Sequence, residues 1–416
     1  MTDHNAPAPK VLSCSGTADF LAALPQLTGF TATNSLFVLF FAGSRTREAM
    51  RIDLPPNDNP REATDLLEFL SYAIRSFGAA QGSTSDPAIA IMSEQSFAEC
   101  QGPPWQRLAR RIERRLRRDQ VRLRELCVLA PDGWQSYLDP HAPRLGRSLD
   151  DIRNSPISVA AALAQQRIPS LAELGAIPEV NPRRAQCAAR ALSALQLTAP
   201  DRVSHAAQVT RQLCAPDTRL STEALLSAEA PRSHNAPFSA EASGHLAYVL
   251  ERPAGWWHVA MGMITRPEFP GELAQDLGPQ RFASLPVDEP PSAGAVQGPG
   301  STQGCSMYAL LAAVCPEFAD RTRLAPLSTR LARAIADVPT LARPGLFALS
   351  ALVWWLCGNQ TTAYRHVDAA IEISPEHEIS HMVRRLVSVP LAARQMLPPP
   401  PSHGGLPRSP RAAASQ

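Results

Sequence analysis

The stretch that most constrains this 416-residue chain is Phe37-Val-Leu-Phe-Phe41. These consecutive apolar residues show no apolar-polar alternation. A strand built from them has to be covered on both faces, which a layered α/β domain supplies. Asn34-Ser35 precede the run and Gly43-Ser44-Arg45 follow it as a turn; Glu48 to Leu54 then returns as a second strand ending at Pro55-Pro56. Upstream, Thr17 to Pro25 has apolar residues at 20, 21 and 24, with Asp19 in the first turn, where a carboxylate suits the helix dipole. Val11 to Pro55 thus reads as strand, helix and two paired strands.

Leu66, Leu67, Leu70, Ile74 and Phe77 have helical spacing over 61–77, and Gly78 stops that helix. Ala88 to Met92 reads as a short buried strand, Pro103-Pro104 open a helix over about 104–119, and Leu123 to Ala130 reads as a strand leading into a turn at Pro131-Asp132-Gly133. Alternating strands and helices of these lengths predict a mostly parallel sheet with an antiparallel addition and helices on both faces. Short helices at 158–166 and 171–175 close this domain, expected over 8–178 behind a disordered segment 1–7.

From Pro182 the period becomes helical, over 184–195 and 203–213, and a mainly helical region is expected over 182–396 with loops near 228–242 and 286–304. The type of 245–264, with Trp256 and Trp257, stays open. Around Gly358, Phe347, Ala351 and Trp354 on one side and Ala363, Val367, Ala370 and Pro375 on the other have the spacing of one tetratricopeptide-like helical hairpin. A single copy makes no solenoid, so it is expected to pack on helices at 305–338. The tail 397–416 is Pro, Ser, Gly and Arg, and is expected to be disordered.

Composition removes several classes of function. A net charge of +2 leaves no global field for nucleic acid or an anionic membrane. Lys10 is the sole lysine, which takes away Schiff bases, Walker-type phosphate loops and buried lysine bases. The eight cysteines form no Cys-x-x-Cys pair and read as buried thiols of a reducing compartment; with no apolar leader and no long apolar run, a cytoplasmic location is expected. The arginines at 107, 110, 111, 114, 115, 117 and 118 surround an apolar stripe of Leu108, Ile112 and Leu116, with Glu113 and Asp119 interspersed and no aromatic to stack on bases. That pattern predicts a solvated helix face and no specific nucleic-acid binding.

Thr17 to Pro25, Leu27 to Phe30, Asn34 to Leu36 and Arg51 to Pro55, together with Gly133-Trp-Gln-Ser-Tyr137, Pro143, Gly146 and the closing block Leu349 to Leu386, resemble an uncharacterised actinobacterial family, the domain of unknown function 4192. The match fades over about 200–300. The family pattern has a cysteine after the tyrosine and a Cys-Cys-Pro soon after, whereas here Leu138 to Pro143 contains no cysteine, which argues against a metal or redox role for that stretch. The resemblance implies extent and lineage, and brings no catalytic residues with it.

Two residue sets and one motif remain as candidates. Open α/β sheets bind ligands at the carboxyl ends of their strands, where Asp19, Asn34, Ser35, Arg51 and Asp53 are the polar residues available for an enzyme or small-ligand pocket. Trp134 and Tyr137 are either packing residues or an aromatic ligand wall. His377-Glu378-Ile379-Ser380-His381 matches H-E-x-x-H, in which two histidines ligate zinc and the glutamate acts as base. Against a zinc hydrolase, Pro375 places the motif at a helix start, no acidic residue follows Glu378, and His403 falls in the tail. The favoured expectation is a non-catalytic binding or interaction protein without cofactor or membrane association, docking another protein through its helical region.

Overall fold

Phe37, Val38, Leu39 and Phe40 are all buried, so strand β1 (Ser35–Ala42) needs an apolar cover on each face. On one face Phe37 and Leu39 join Phe20, Leu21 and Leu24 of helix α1 (Thr17–Thr28) in a cluster that also holds Ala90, Cys127 and Trp134. On the other, Phe40 stacks on Phe77 of α2 (Glu62–Gln81), with ring centroids 4.4 Å apart. The computed structural model describes residues 12–59, 61–81, 86–165, 167–215, 238–278, 285–287, 306–318 and 320–389. The chain divides into two units, Met1–Leu174 and Gly175–Gln416.

In the first unit, a turn at Gly43 (φ +61°) and Ser44 leads from β1 to β2 (Arg45–Asp53), a position where glycine avoids the cost of left-handed backbone. No strand precedes α1 among residues 12–16. After α2 come β3 (Ala88–Met92), the short helix α3 (Phe97–Cys100), α4 (Gln106–Arg118), β4 (Glu125–Ala130) and β5 (Gly133–Ser136). The sheet order is β2-β1-β3-β4-β5. The expected mostly parallel sheet is not what forms: β3–β4 is the parallel pair, while β1–β2, β1–β3 and β4–β5 are antiparallel. The helical connections do make β2, β3 and β4 run the same way. However, the tight turn folds β2 to the outer side of β1, which leaves β1 between β2 and β3 and antiparallel to both.

Helices cover both faces. Leu108, Ile112 and Leu116 of α4 are buried, while Arg107, Arg110, Arg114, Arg117 and Arg118 are exposed. Asp58 caps the start of α4, its two carboxylate oxygens accepting from the Arg107 and Leu108 N–H groups at 3.0 and 2.9 Å. Two short helices, α5 (Asp150–Arg153) and α6 (Pro156–Leu163), pack beside α1. Residues 171–175 form a turn where a helix was expected, ending at Gly175 with φ +78°.

The described part of the second unit is mainly helical: Pro182–Thr198, Arg202–Cys214, Ala240–Leu250, Pro253–Ile264, Phe269–Leu277, Met307–Phe318, Arg321–Asp337, Pro344–Leu356, Gln360–Ile373 and Glu378–Val387. The open segment 245–264 is two helices separated just before Pro253, and it carries the fully buried Trp256 and Trp257 into the core. At Gly358 (φ +85°) the chain reverses into the expected hairpin, whose Ala351, Ala363, Val367 and Ala370 are buried and whose first helix packs on Arg321–Asp337. Small residues let helices approach closely: a Cβ on Gly244 would lie 2.4 Å from the Ala188 carbonyl oxygen. The segments expected as tails at 1–7 and 397–416 lie outside the described residues, as does most of both expected loops; from Ala240 the first of these is already helix. Among the described residues no helix is long and apolar enough to cross a membrane. Seven described cysteines are free thiols, of which Cys14 and Cys100 are exposed rather than buried.

Candidate functional site

Antiparallel pairing sets Ser35 opposite both Asp53 and Met92, so the start of β1, the end of β2 and the end of β3 share one end of the sheet. Four expected site residues meet there. Arg51 donates its Nε to the Ser35 hydroxyl at 2.9 Å and pairs with Asp53, while Asn34 donates to Glu94 at 2.6 Å, which also accepts from the Thr33 hydroxyl at 2.7 Å. This cluster satisfies itself, and the Asp53 side chain is 73% exposed. Asp19 is not part of it. Its carboxylate accepts from the Ser15 backbone N–H at 3.0 Å at the start of α1, and its neighbour Thr17 bonds to Glu125, at the opposite end of the sheet.

A second polar region lies along the edge strand β5. Alternation sends Trp134 and Ser136 to the α1 face and Gln135 and Tyr137 to the α4 face. Trp134 and Tyr137 therefore sit on opposite sides of the sheet and cannot form one aromatic wall. Trp134 belongs to the α1-side cluster and donates its indole N–H to the Ser148 carbonyl at 2.9 Å; the Tyr137 hydroxyl donates to the Pro104 carbonyl. A hollow flanks each face.

The first, of about 330 Å³, is lined by Thr17, Glu125, Trp134, Ser136, Asp139 and Arg147, among others. Glu125 ties its walls together, one oxygen accepting from the Thr17 hydroxyl and the other from the Ser136 hydroxyl at 2.6 Å and the Leu126 N–H at 2.8 Å. Arg147 lies over the Trp134 ring, 5.8 Å from its centroid, and pairs with Asp139 at 2.7 Å. The His141 N–H and then this guanidinium hold the Asp139 pKa below its ordinary value. The second hollow, of about 320 Å³, lies between β5, α4 and the segment after Tyr137; Gln106, Arg110, Gln135, Tyr137, Ala142 and Arg144 line it. Burial keeps the Tyr137 phenol protonated well above the usual tyrosine range, and the Cys127 thiol is raised in the same way.

Reading single motifs passed over Glu125, Gln135, Arg144 and Arg147. The usable signal was the turn at Pro131-Asp132-Gly133, which returns the chain beside β4 and makes 133–136 an edge strand whose alternate residues serve two faces. The H-E-x-x-H match straddles a helix start. His377 is the N-cap of Glu378–Val387, with its Nδ1 2.7 Å from the Ser380 hydroxyl, and the His381 Nε2 lies 2.6 Å from the Pro375 carbonyl oxygen. Among the described residues no group of three His, Cys, Asp or Glu side chains is arranged to hold a metal ion.

No curated protein and no solved structure matches the chain. Residues 18–254, more than half of the 416 and including both sheet faces and β5, match the family Domain of unknown function (DUF4192), and the chain belongs to that family.

Proposed function

We propose that this protein is a non-catalytic binding protein whose α/β unit holds a small molecule at the edge strand β5. One observation carries the proposal: β5 has a polar hollow on each face, with walls of paired charges, amides and hydroxyls. Hollows of about 330 and 320 Å³ are at the small end of ligand sites, the size of a metabolite rather than a dinucleotide. General acid–base work at neutral pH calls for groups that titrate near 7, yet of the lining groups with a shifted pKa burial takes Tyr137 up and hydrogen bonding takes Asp139 down. An enzyme site at the sheet end is less favoured, because Asn34, Ser35, Arg51 and Asp53 spend their polar atoms on one another and on Glu94.

The test is native purification of the full chain from its own cells, followed by mass spectrometry of everything that stays bound. A small molecule retained in near-stoichiometric amount and recovered unchanged is the expected result. Chemical conversion of that molecule would overturn the non-catalytic part. Recovery of a protein partner with no small molecule would instead favour docking through the tetratricopeptide-like hairpin.

A further inference from the structure

A polar group of a residue lining the hollow between β5 and α4 has no hydrogen-bond partner among the described residues. The residue is Gln135, 6% exposed, and the group is its Oε1. A buried amide oxygen left unpaired is destabilising, a cost that valine or leucine at this strand position would not carry. Its neighbours in the chain show the contrast: the Ser136 hydroxyl, the Trp134 indole and the Tyr137 hydroxyl all have partners. Gln135 is one of the residues that line the hollow, which brings its amide beside a molecule lodged there.

The charges around this hollow are unbalanced in one direction. Its two carboxylates are engaged: Glu113 pairs with Arg117 at 2.5 Å, and Asp139 with Arg147 at 2.7 Å. Its two guanidiniums are free of carboxylates. Arg110 and Arg144 have no carboxylate partner among the described residues, and Arg144 spends only its Nε, on the Gln101 carbonyl at 2.9 Å. A planar guanidinium fork suits a carboxylate or phosphate, which it can bind through two parallel N–H bonds. The amide of Gln135 calls for a second group on the same molecule, and a hydroxyl fits it whichever way the amide end is turned, because it both donates and accepts.

We propose that the hollow formed by Arg110, Gln135 and Arg144 seats a small hydroxylated oxyanion, a polyol phosphate or hydroxy-carboxylate, with the arginines on the anionic group and Gln135 on the hydroxyl. This rests on the binding function proposed above and adds which face of β5 is used and what chemistry it selects. The rival occupant is water, which a polar hollow of this size holds readily.

The test is calorimetric titration of the full-length protein with glycerol 3-phosphate, tartrate, inorganic phosphate and glycerol, beside a panel of uncharged nucleosides. The variants are R110Q/R144Q, both positions exposed and so safe for folding, and the nearly isosteric Q135M, checked by circular dichroism. Glycerol 3-phosphate or tartrate should bind more tightly than inorganic phosphate and lose about tenfold or more in R110Q/R144Q. Q135M should weaken these ligands by about tenfold while changing inorganic phosphate less than about twofold. Which of the two binds more tightly identifies the oxyanion. Equal affinity for hydroxylated and plain anions, or indifference to R110Q/R144Q, would overturn the assignment. Nucleoside binding that Q135M abolishes would overturn it while leaving the binding function standing. Absence of binding across the whole panel and across a cell-extract metabolite pool would overturn both.

Discussion

Removing the Asp337 carboxylate should destabilise the helical unit by several kcal/mol. Asp337 ends the helix Arg321–Asp337 with its side chain 1% exposed, and it accepts three hydrogen bonds. Arg184 approaches side-on, Nε to Oδ1 at 3.0 Å and Nη2 to Oδ2 at 2.6 Å, and the buried Ser243 hydroxyl donates to Oδ2 at 2.9 Å. The pair therefore joins three helices, since Arg184 lies on Pro182–Thr198 and Ser243 on Ala240–Leu250. Asp337→Ala leaves a guanidinium only 28% exposed without its counter-ion and a buried hydroxyl without its acceptor, a situation that costs about 3–5 kcal/mol. In a unit of this size that is a fall in melting temperature of about 10 °C. The assay is urea and thermal unfolding of Asp337→Ala, Arg184→Ala, the double alanine variant and Arg184→Met/Asp337→Leu. The cycle should return a coupling of about 2 kcal/mol or more, and the Met/Leu pair should recover much of the loss, because the penalty lies in an orphaned charge and not in a missing attraction. A loss below about 1 kcal/mol for Asp337→Ala would show that water reaches the pair and would refute this account.

Stability should also fall on acidification: burial depresses the pKa values of His258 and His366 from 6.5 to about 4, so the contribution from keeping them neutral is full above 6.5 and is lost as pH drops toward 4. The limit is roughly 3 kcal/mol per histidine, and chemical denaturation at pH 7.5 and 5 should show a shallower pH slope in His366→Gln. Phe37→Ala should cost about 3–5 kcal/mol in the α/β unit by emptying the α1-side core, read from its unfolding midpoint; a cost under 1 would mean that β1 is not covered there. Gly244→Ala should cost about 1–3 kcal/mol, because its Cβ would meet the Ala188 carbonyl oxygen, whereas Gly271→Ala, with open space around it, should change little by the same measure. His377→Ala should lower stability by about 1 kcal/mol through loss of a helix cap while His377→Asn keeps it, a difference that thermal unfolding resolves.

Local chemistry made much of this protein legible from sequence alone. The unbroken apolar run at 37–41 demanded cover on both faces, the glycines at 43 and 358 fell where the backbone turns left-handed, and the leucine-isoleucine stripe of α4 separated core from arginines. Such features are set by residues a few positions apart, where sterics and periodicity act. Strand order was beyond their reach: β1 lies between β2 and β3 because of how a hairpin and a crossover close together in space, and both a parallel and an antiparallel neighbour accept the same buried strand. The candidate residues divided in the same way. Asn34, Ser35, Arg51 and Asp53 were found together because register pairs them across one sheet end, whereas Asp19 and the Trp134–Tyr137 wall failed because opposite sheet ends and opposite strand faces separate residues that sequence places side by side. The region that carries the proposed function depended most on tertiary structure. Gln135 becomes a buried amide whose oxygen has no partner among the described residues, and Arg110 and Arg144 come to line one hollow, only when the edge strand is packed against α4.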